Sequence, residues 1–295
     1  MLTKRSVLEK TFDVANVLFM LVLLFVCLFP FYYMLVISIS NGNLVLQGKV
    51  GLIPKGVTLA AYKHLLSDPY VKQAYWNTLV YVTVGTCINM VLTSLCAYPL
   101  SRNELVGKRF FTVLIIITMV FSGGMIPTYL LVSKTLSLKD TMWAVLLVNG
   151  ISTFNMIIMR TFFQSTIPDS LVEAAKIDGA NDLRIFWKIV LPVSLPIMAT
   201  MVLFYAISQW NRYFDYMLYM NNKADYPLQL LLRSMVIEGS LGDAAQKTSA
   251  ASDIFTSEMS IKYGAILITV LPIMVLYPFV QKYLVKGIMV GSIKG

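Results

Sequence analysis

Charged residues are scarce in this 295-residue sequence, and their scarcity is the first guide to the class of protein. Asp, Glu, Lys and Arg make up only 13% of the chain, whereas apolar residues reach 57% and the mean hydropathy is +0.72. A soluble domain carries about a quarter charged residues. The composition therefore excludes a soluble domain and, with it, the basic surface patch of a nucleic-acid-binding protein. It favours a chain that lies in a lipid bilayer, where the net charge of +9 suits anionic headgroups beside apolar spans.

Histidine and cysteine are rare as well, which limits the chemistry that the chain can carry out. The single histidine, His64, is interpreted as a surface residue of a loop. The three cysteines, Cys27, Cys87 and Cys96, fall in apolar stretches and are odd in number. We interpret them as small buried hydrophobic residues and not as a disulfide framework or a metal site. The apolar stretches also lack the paired acids or the histidine-rich motif that an intramembrane enzyme would need.

A phosphate-binding loop of the form G-x-x-x-x-G-K-[ST] is absent from the sequence. Because this loop cradles the phosphates of ATP in P-loop proteins, the chain has no ATP-hydrolysing site of that kind. It also shows no internal repeats, which are common in autonomous secondary transporters. We therefore predict that the chain is not an enzyme and that its energy source lies in another polypeptide.

Six windows of the sequence contain no Asp, Glu, Lys or Arg. Each is about as long as the roughly 20 residues that an α-helix needs to cross the hydrocarbon layer, and none alternates apolar and polar residues as a barrel strand would. Lys4, Arg5 and Lys10 precede the first window, as in a secretory signal, but the apolar run is too long for one, so we interpret it as a retained helix. The sequence predicts an all-α membrane protein of one domain, 1–295. Its six transmembrane helices are expected at about 14–37, 74–99, 110–133, 141–160, 190–211 and 263–281.

The segments between these spans differ in charge. More than half of the 24 basic residues fall in one set of short segments. These segments are 1–13, 102–109, 160–188 and 282–295. Because basic residues are enriched in cytoplasmic loops, the bias predicts that both termini are cytoplasmic. The large loops at 39–72 and 212–262 are then expected on the outer side.

The polar segment SLVEAAKIDGANDLRIFWKIVLPVSLP lies between the fourth and fifth predicted spans. Ser170 and Glu173 have the spacing of a capping box, which predicts a helix with Ser170 as its N-cap. Gly179 lies where a residue in the left-handed conformation would end that helix. A second short helix is expected from about Asn181 or Asp182 and should end before Pro192, since proline disfavours helix at the preceding residue. The pattern predicts helix, turn and helix at the inner membrane surface, although capping alone would also suit an ordinary interfacial connector.

The same segment resembles the EAA signature of the permease subunits of ABC importers. The match consists of EAA at 173–175, DGA at 178–180 and LP at 191–192, at the spacing of that family. Together with the stretches HLLSDPYVKQAYWNTLVY, WNRYFDYMLYM and YPLQLLLR, it is similar to the binding-protein-dependent carbohydrate permeases, the group that contains the maltose-system inner-membrane subunits. Within that group it resembles the subgroup for complex oligosaccharides in Gram-positive bacteria. The resemblance covers nearly the whole chain.

This resemblance implies the type I ABC importer permease fold, with a cytoplasmic coupling-helix loop at 168–192 that docks on a separate ATPase. Glu173 would meet a basic residue of the ATPase, and Gly179 would supply the bend. The residues implied in ATPase coupling are Glu173, Ala174, Ala175, Asp178, Gly179 and Ala180.

The resemblance also implies partners and a location in the bacterial plasma membrane. The partners are a second homologous permease, two copies of an ABC ATPase that bind ATP and Mg²⁺, and an extracellular solute-binding lipoprotein that delivers a carbohydrate, with an oligosaccharide expected. The chain itself would bind no cofactor and no nucleic acid. The alternatives are an amino-acid or peptide permease of the same importer class and an autonomous secondary transporter, although the latter normally carries ionisable residues within its spans.

Polar and aromatic residues within or beside the spans are candidates for the path of the sugar. Intramembrane polar groups usually face a bundle interior, but aromatic residues at span ends also form interfacial belts, which is our interpretation for most of them. The breaks at Gly123-Gly124 and Asn149-Gly150 indicate either kinked helices beside a path or close helix packing. The path candidates are Asn77, Asn149, Trp210 and Asn211.

Overall fold

The computed structural model describes residues 7–237 and 258–292. Within these ranges all regular secondary structure is helical, which confirms the all-α prediction for them. The chain falls into two compact units, Met1–Pro69 with Leu232–Leu271, and Tyr70–Leu231 with Pro272–Gly295. The single domain 1–295 stays a prediction.

The first unit is built on the long helix α1, Val7–Ser38, followed by α2, Gly42–Leu46, and α3, Ala60–Ser67. A helix that is apolar on all sides either lies in a core or spans a membrane. Along most of α1 the large apolar side chains are exposed, so α1 has the character of a membrane-spanning helix and not of a core helix. Only its last turn joins a small core, which consists of Val36, Ile37, Val45 and Val50.

The helices after α3 are mostly short and are joined by tight breaks. They are α4 (Pro69–Ser101), α5 (Lys108–Val120), α6 (Met125–Leu130, continued by a π-helical turn Leu131–Thr135), α7 (Trp143–Leu146), α8 (Thr153–Thr166), α9 (Asp169–Ile177), α10 (Asp182–Ile185, continued by a π-helical turn Phe186–Val190), α11 (Leu191–Val193), α12 (Leu195–Asn211), α13 (Phe214–Tyr219), α14 (Leu228–Ile237) and α15 (Glu258–Ser292). The core of the second unit lies where α4, α8, α10 and α12 meet. Its fully buried side chains include Met159, Phe163, Ile185, Val190 and Met201.

Three helical stretches are long and apolar enough to cross a membrane: Leu8–Ser38, Pro69–Ser101 and Glu258–Val275. Two further pairs of helices pass the same test but are strongly bent. They are α5 with α6 and its π-helical turn, at 107°, and α10–α11 with α12, at 84°. The described residues thus hold three spans, or five if each bent pair counts as one, and the predicted number of six stays a prediction.

The fourth apolar window, 141–160, is not one continuous helix. α7 ends at Leu146 and α8 begins only at Thr153, so the interval that contains Asn149 and Gly150 is irregular. A Cβ on Gly150 would lie 2.9 Å from Leu92 Cδ1 of α4. This break is therefore a place of close helix packing.

The third window turns sharply between Val120 and Met125. Gly124 has a φ of +86°, which favours glycine, and a Cβ on Gly123 would meet no atom within 4 Å. These glycines allow the backbone to turn and do not bring helices together. The interval around Gly150 thus supports the packing interpretation and the turn at Gly123-Gly124 is a bend, while a path beside either break stays a prediction.

The cysteines do not lie in a core. Cys27 and Cys87 are exposed and Cys96 is half-buried, so the prediction that all three are buried is wrong. Hydropathy identifies apolar helix faces, but in this chain many of those faces point outward.

Candidate functional site

The polar segment 168–192 begins with a helix that starts two residues earlier than expected. α9 begins at Asp169, its N-cap is Pro168, and no side chain caps it. Ser170 therefore lies inside the first turn, and the predicted capping box is wrong. Pro168 has a φ of −61° and an extended ψ of 140°, which places it as the residue before the helix. Asp169 instead puts a carboxylate at the positive end of the helix dipole.

The turn after α9 has the predicted form. Gly179 has a φ of +77°, its amide donates to the carbonyl of Lys176 at 3.0 Å, and the Ala180 amide donates to that of Ala175 at 2.9 Å. Asn181 then caps α10, because its side chain accepts from the amide of Arg184 at 2.9 Å. The helix, the left-handed glycine and the start of the second helix are thus confirmed.

The second helix of the segment does not end before Pro192. Helical structure continues through Phe186–Val190 and Leu191–Val193, and the chain bends only at Ser194. Pro192 directly follows the π-helical turn Phe186–Val190, where the hydrogen bonds already depart from the α-helical pattern, and the helical structure passes it without a break until Ser194.

α9 buries one face and exposes the other. Val172 and Ala175 are 3% and 9% exposed and pack on the core of the second unit, whereas Glu173, Ala174, Asp178 and Gly179 are exposed and Ala180 is half-buried. Large apolar side chains flank the exposed face, namely Ile177 at 86%, Leu183 at 64% and Trp187 at 58% exposure. Exposed large apolar side chains close in sequence to a carboxylate and small residues are compatible with a protein–protein contact.

Ion pairs attach α9 to the turn that follows α4. Arg102 pairs with Asp169 at 3.1 Å, Lys176 pairs with Glu104, and Lys176 lies 3.9 Å from Asp182 of α10. A cavity of about 470 Å³ opens between these elements, bordered by the charged groups and by apolar side chains of α4 and α10. Packing alone therefore does not hold α9 against the turn that follows α4, and the ion pairs connect the two elements across the cavity.

The hydrogen bond from Lys176 lowers the pKa of the Glu104 carboxyl and raises the pKa of the Lys176 ammonium. Because the pKa of Glu104 is lower in the folded state than in the unfolded chain, its ionised carboxylate stabilises the folded state at every pH above the unfolded-state pKa. This stabilisation is lost only as the pH falls through the lower, folded-state pKa. The raised pKa of Lys176 preserves its contribution until the pH rises through that value. The pair is therefore intact across the neutral range.

Reversing the charges of this pair tests its contribution. We expect Glu104→Lys and Lys176→Glu each to lower the apparent melting temperature of the purified protein in detergent, because each places like charges together. The double exchange should recover part of the loss, but not all of it, since the new carboxylate at position 176 would then face Asp182. Equal melting of the wild type and both single variants would show that the pair does not hold α9.

A second group of polar residues is buried where α4, the 147–152 break and α12 meet. Asn89 is fully buried and donates to the carbonyls of Asn149 at 2.7 Å and Gly150 at 2.9 Å. It accepts from Nε2 of Gln209 on α12 at 2.8 Å. The break between α7 and α8 leaves backbone carbonyls without helical donors, and a buried side chain must satisfy them. Asn89 has this role.

The polar group continues along α4 and α12. The hydroxyls of Thr93 and Tyr205 are 2.6 Å apart, and the Tyr205 hydroxyl also accepts from the Ser152 amide at 3.2 Å. The sequence interpretation did not single out Thr93, Tyr205 or Gln209. The available signal is helical spacing, because Asn89 and Thr93 follow one another on the same face of α4.

At the C-terminal end of α12 the buried polar group reaches two charged residues, Arg212 and Asp215. Asn149 donates to Oδ2 of Asp215 at 2.9 Å, and Nε of Arg212 lies 3.7 Å from the same oxygen. Four buried polar atoms nearby in the sequence have no hydrogen-bond partner in the described part of the chain: Oε1 of Gln209, Nε1 of Trp210, Nη1 of Arg212 and the hydroxyl of Tyr216. Burial lowers the pKa of the Arg212 guanidinium, against the opposing effect of Asp215. Three of these four atoms, all but Oε1 of Gln209, are able to donate a hydrogen bond.

The structure separates the four predicted path residues. Asn149 belongs to the polar group, and Trp210, 7% exposed, packs its ring edge-to-face on Tyr75 beside it. Asn77 donates to the carbonyls of Ala224 and Tyr226, which fixes the loop after α13. Asn211 is exposed and donates to a carbonyl of its own helix. Their role in a path stays a prediction.

Apolar helices that can cross a membrane, with a buried polar group where helices are broken, are typical of membrane transport proteins. A family model described as "Binding-protein-dependent transport system inner membrane component" matches residues 4–290. The chain belongs to this family of ABC transport permeases.

Two curated relatives and one solved structure match nearly the whole chain. The polygalacturonan/rhamnogalacturonan transport system permease protein YtcP of Bacillus subtilis (strain 168) is 42% identical over 97% of this chain and 99% of the relative. Protein LplC of the same organism is 40% identical over 97% and 96%. A chain in the crystal structure of a bacterial ABC transporter involved in the import of the acidic polysaccharide alginate has a TM-score of 0.86 and 33% identity, with 95% of this chain and 99% of that chain covered. These similarities support a carbohydrate permease of an ABC importer.

Proposed function

We propose that this chain is one of two permease subunits of a type I ABC importer that moves an oligosaccharide into the cytoplasm. It has six spans in a single permease domain, 1–295, with both termini and the 168–192 loop in the cytoplasm of a bacterial cell. Two copies of a separate ATPase bind ATP and Mg²⁺, and an extracellular solute-binding lipoprotein delivers the sugar. The family description and the full-length similarity to importer permeases support this proposal.

The observation that carries the coupling role is the exposed face of α9. The helix is fixed from behind by ion pairs and presents a carboxylate, small residues and flanking apolar side chains outward. Glu173 can then pair with a basic residue of the ATPase, while Ala174 permits close approach. The residues Glu173, Ala174, Ala175, Asp178, Gly179 and Ala180 form the coupling element. When ATP brings the ATPases together, the docked helices would move with them as rigid bodies.

The relatives also suggest a class of sugar. Polygalacturonan and alginate are polymers of uronic acids, so their permeases handle saccharides that carry carboxylates. We infer that this importer accepts short oligosaccharides with uronic acid units. An amino-acid or peptide substrate is the competing proposal.

Affinity purification of this chain from its native membrane, followed by mass spectrometry, tests the assembly. We expect a second permease and an ATPase to co-purify. The reconstituted complex should hydrolyse ATP faster with the binding protein and an oligogalacturonate than without the sugar. A chain that purifies alone and transports solute without ATP would support a secondary transporter instead. Stimulation by a peptide and not by any saccharide would contradict the carbohydrate substrate.

A further inference from the structure

We propose that the cavity behind α9 binds a membrane phospholipid whose headgroup carries both a phosphate and a primary ammonium group, as phosphatidylethanolamine does. The cavity holds about 470 Å³ and lies between the end of α4, the turn that follows it, α9 and α10. The inference goes beyond the proposed function, because it requires only that the chain lies in a membrane and depends on neither the solute nor the ATPase.

The first argument is the polarity of the cavity walls. One part of the lining is apolar and consists mainly of Leu95, Pro99, Leu105, Val172 and Phe186. The other part is charged and consists of Arg102, Glu104, Lys176 and Asp182. In ligand sites an apolar wall supplies most of the contact, and a few polar groups fix the orientation of the ligand. A wall that is apolar on one side and charged on the other therefore suits an amphiphile.

The second argument is the position of the cavity at the end of a membrane-spanning helix. α4 is apolar enough to cross a membrane and ends at Ser101. Leu95 lies about 9 Å before that end along the helix axis, whereas Arg102 and Glu104 come after it. The apolar wall thus lies at the depth of acyl chains, and the charged side lies at the depth of headgroups.

The apolar wall also continues into the exposed surface of α4. Val91 and Leu92 precede Leu95 by about one helical turn and share its face, and all three side chains are exposed. Beside the cavity, Trp187 is exposed and packs edge-to-face on Phe186, as aromatic residues do at membrane interfaces. An acyl chain can therefore run from the bilayer along α4 into the cavity.

The third argument is the side of α9 that faces the cavity. Val172 and Lys176 are one turn apart and line it. Glu173 and Ala174, which carry the proposed contact with the ATPase, are exposed and do not belong to this lining. A ligand that enters from the bilayer thus leaves the coupling face of α9 free, and it connects α9 with α4 across the space that the ion pairs bridge.

The fourth argument is the balance of charge, since the cavity is bordered by two cations and two carboxylates. Glu104 and Asp182 remain 65% and 76% exposed, and Lys176 remains 36% exposed. Asp182 approaches Lys176 only to 3.9 Å. An ammonium group beside the carboxylates and a phosphate beside Lys176 would continue this alternation of charges. A purely anionic headgroup would bring a like charge to the carboxylates and no cation.

The test measures which lipid the complete importer retains. The complex is reconstituted in nanodiscs of equal parts phosphatidylethanolamine and phosphatidylglycerol and is then extracted into detergent. Mass spectrometry quantifies the phospholipid that stays bound. We expect phosphatidylethanolamine to be retained about three-fold over phosphatidylglycerol, the size of effect that exposed ion pairs have.

Leu95→Trp fills the apolar part of the cavity and should lower the retained phosphatidylethanolamine about five-fold, which corresponds to roughly 1 kcal/mol of overpacking. Leu79→Trp is the matched control, because Leu79 is a similarly exposed leucine of the same helix outside the lining. Asp182→Asn should lower the ratio of the two retained lipids about three-fold, whereas Asp182→Glu keeps the carboxylate and should preserve the ratio.

A photoreactive benzoylphenylalanine in place of Val106, which lines the cavity and is 90% exposed, identifies the occupant in the native membrane. A phospholipid adduct would support the proposal, and an adduct with a partner protein alone would overturn it. Equal lipid retention by Leu95→Trp and the wild type, equal losses in Leu95→Trp and Leu79→Trp, preferred retention of phosphatidylglycerol, or a wild type that retains neither lipid would each overturn it as well. Neither sugar nor ATP enters the measurement, so failure of this site and failure of the proposed import function give separate results.

Discussion

Gly179→Pro is expected to abolish substrate-stimulated ATP hydrolysis by the assembled importer while the chain still inserts into the membrane. Proline fixes φ near −65°, about 140° from the +77° that Gly179 adopts. It also removes the N–H that bonds the Lys176 carbonyl at 3.0 Å. The turn between α9 and α10 cannot form with this residue, so the exposed face of α9 would no longer be presented to the ATPase. Stimulated hydrolysis in proteoliposomes, with and without sugar, measures the effect.

The chain offers a close control at Gly48. This residue has a φ of +66°, its amide donates to the Val45 carbonyl at 3.0 Å, and a Cβ there would meet no atom within 4 Å. Gly48→Pro therefore introduces the same local strain in a different loop, and we expect the coupled hydrolysis to survive. If both proline variants lose activity equally, the effect is one of folding and the coupling role of the α9–α10 turn is not supported.

Glu173→Lys tests the same face without altering the backbone. Glu173 is exposed, so the substitution should leave the fold unchanged and place two like charges at the contact with the ATPase. We expect stimulated hydrolysis to be lost here as well. Wild-type stimulation in both Gly179→Pro and Glu173→Lys would reject α9 as the coupling element.

The parts of the coupling segment that the sequence predicted are those set by neighbouring residues. A glycine in the left-handed conformation ends a helix within one turn of the chain, and it is found at Gly179; the second helix begins at Asp182, within the predicted start. The start and the end of the segment were misplaced, because two prolines can each precede or enter a helix. Pro168 stands before α9, and Pro192 lies in the first turn of α11. Local sequence does not distinguish these positions from a helix end.

The sequence indicated a break at Asn149-Gly150, but it could not show what stabilises that break, because the residue that does so is distant in the sequence. Hydropathy favours a span over 141–160, but the chain is irregular around Asn149-Gly150. Asn89 supplies the missing donors from 60 residues away. The same limit applies to the path candidates. Asn77 and Asn149 look alike in the sequence, yet Asn77 fixes a loop and Asn149 belongs to the buried polar group.

Asn89→Leu is expected to destabilise the permease by about 3 kcal/mol or more. Three hydrogen bonds are lost, and the carbonyls of Asn149 and Gly150 and the amide of Gln209 are left buried without partners, at roughly 1–3 kcal/mol each. Thermal unfolding in detergent and the yield of monodisperse protein measure the change. Asn211→Leu is the control, because Asn211 is exposed and bonds only its own helix. Equal melting of the two variants would show that Asn89 does not support the break.

Gly85 of α4 tests the hydrogen bond between Asn89 and Gln209, because it lies against the Gln209 side chain. A Cβ at this position would lie 2.6 Å from Nε2 of Gln209 and 3.0 Å from Leu146 Cδ2, so Gly85→Ala must displace the side chain that bonds Asn89. We expect a loss of about 1–3 kcal/mol from this overpacking. In a Gln209→Ala background the atoms that Gly85→Ala would displace are gone. The loss of stability caused by Gly85→Ala should then be well below its value in the wild type, since the effects of substitutions at residues that share a contact are not additive. Additive losses of stability in the double variant would mean that Gly85 and Gln209 act independently. The close approach of α4 and α12 would then play no part in holding Asn89 against the break between α7 and α8.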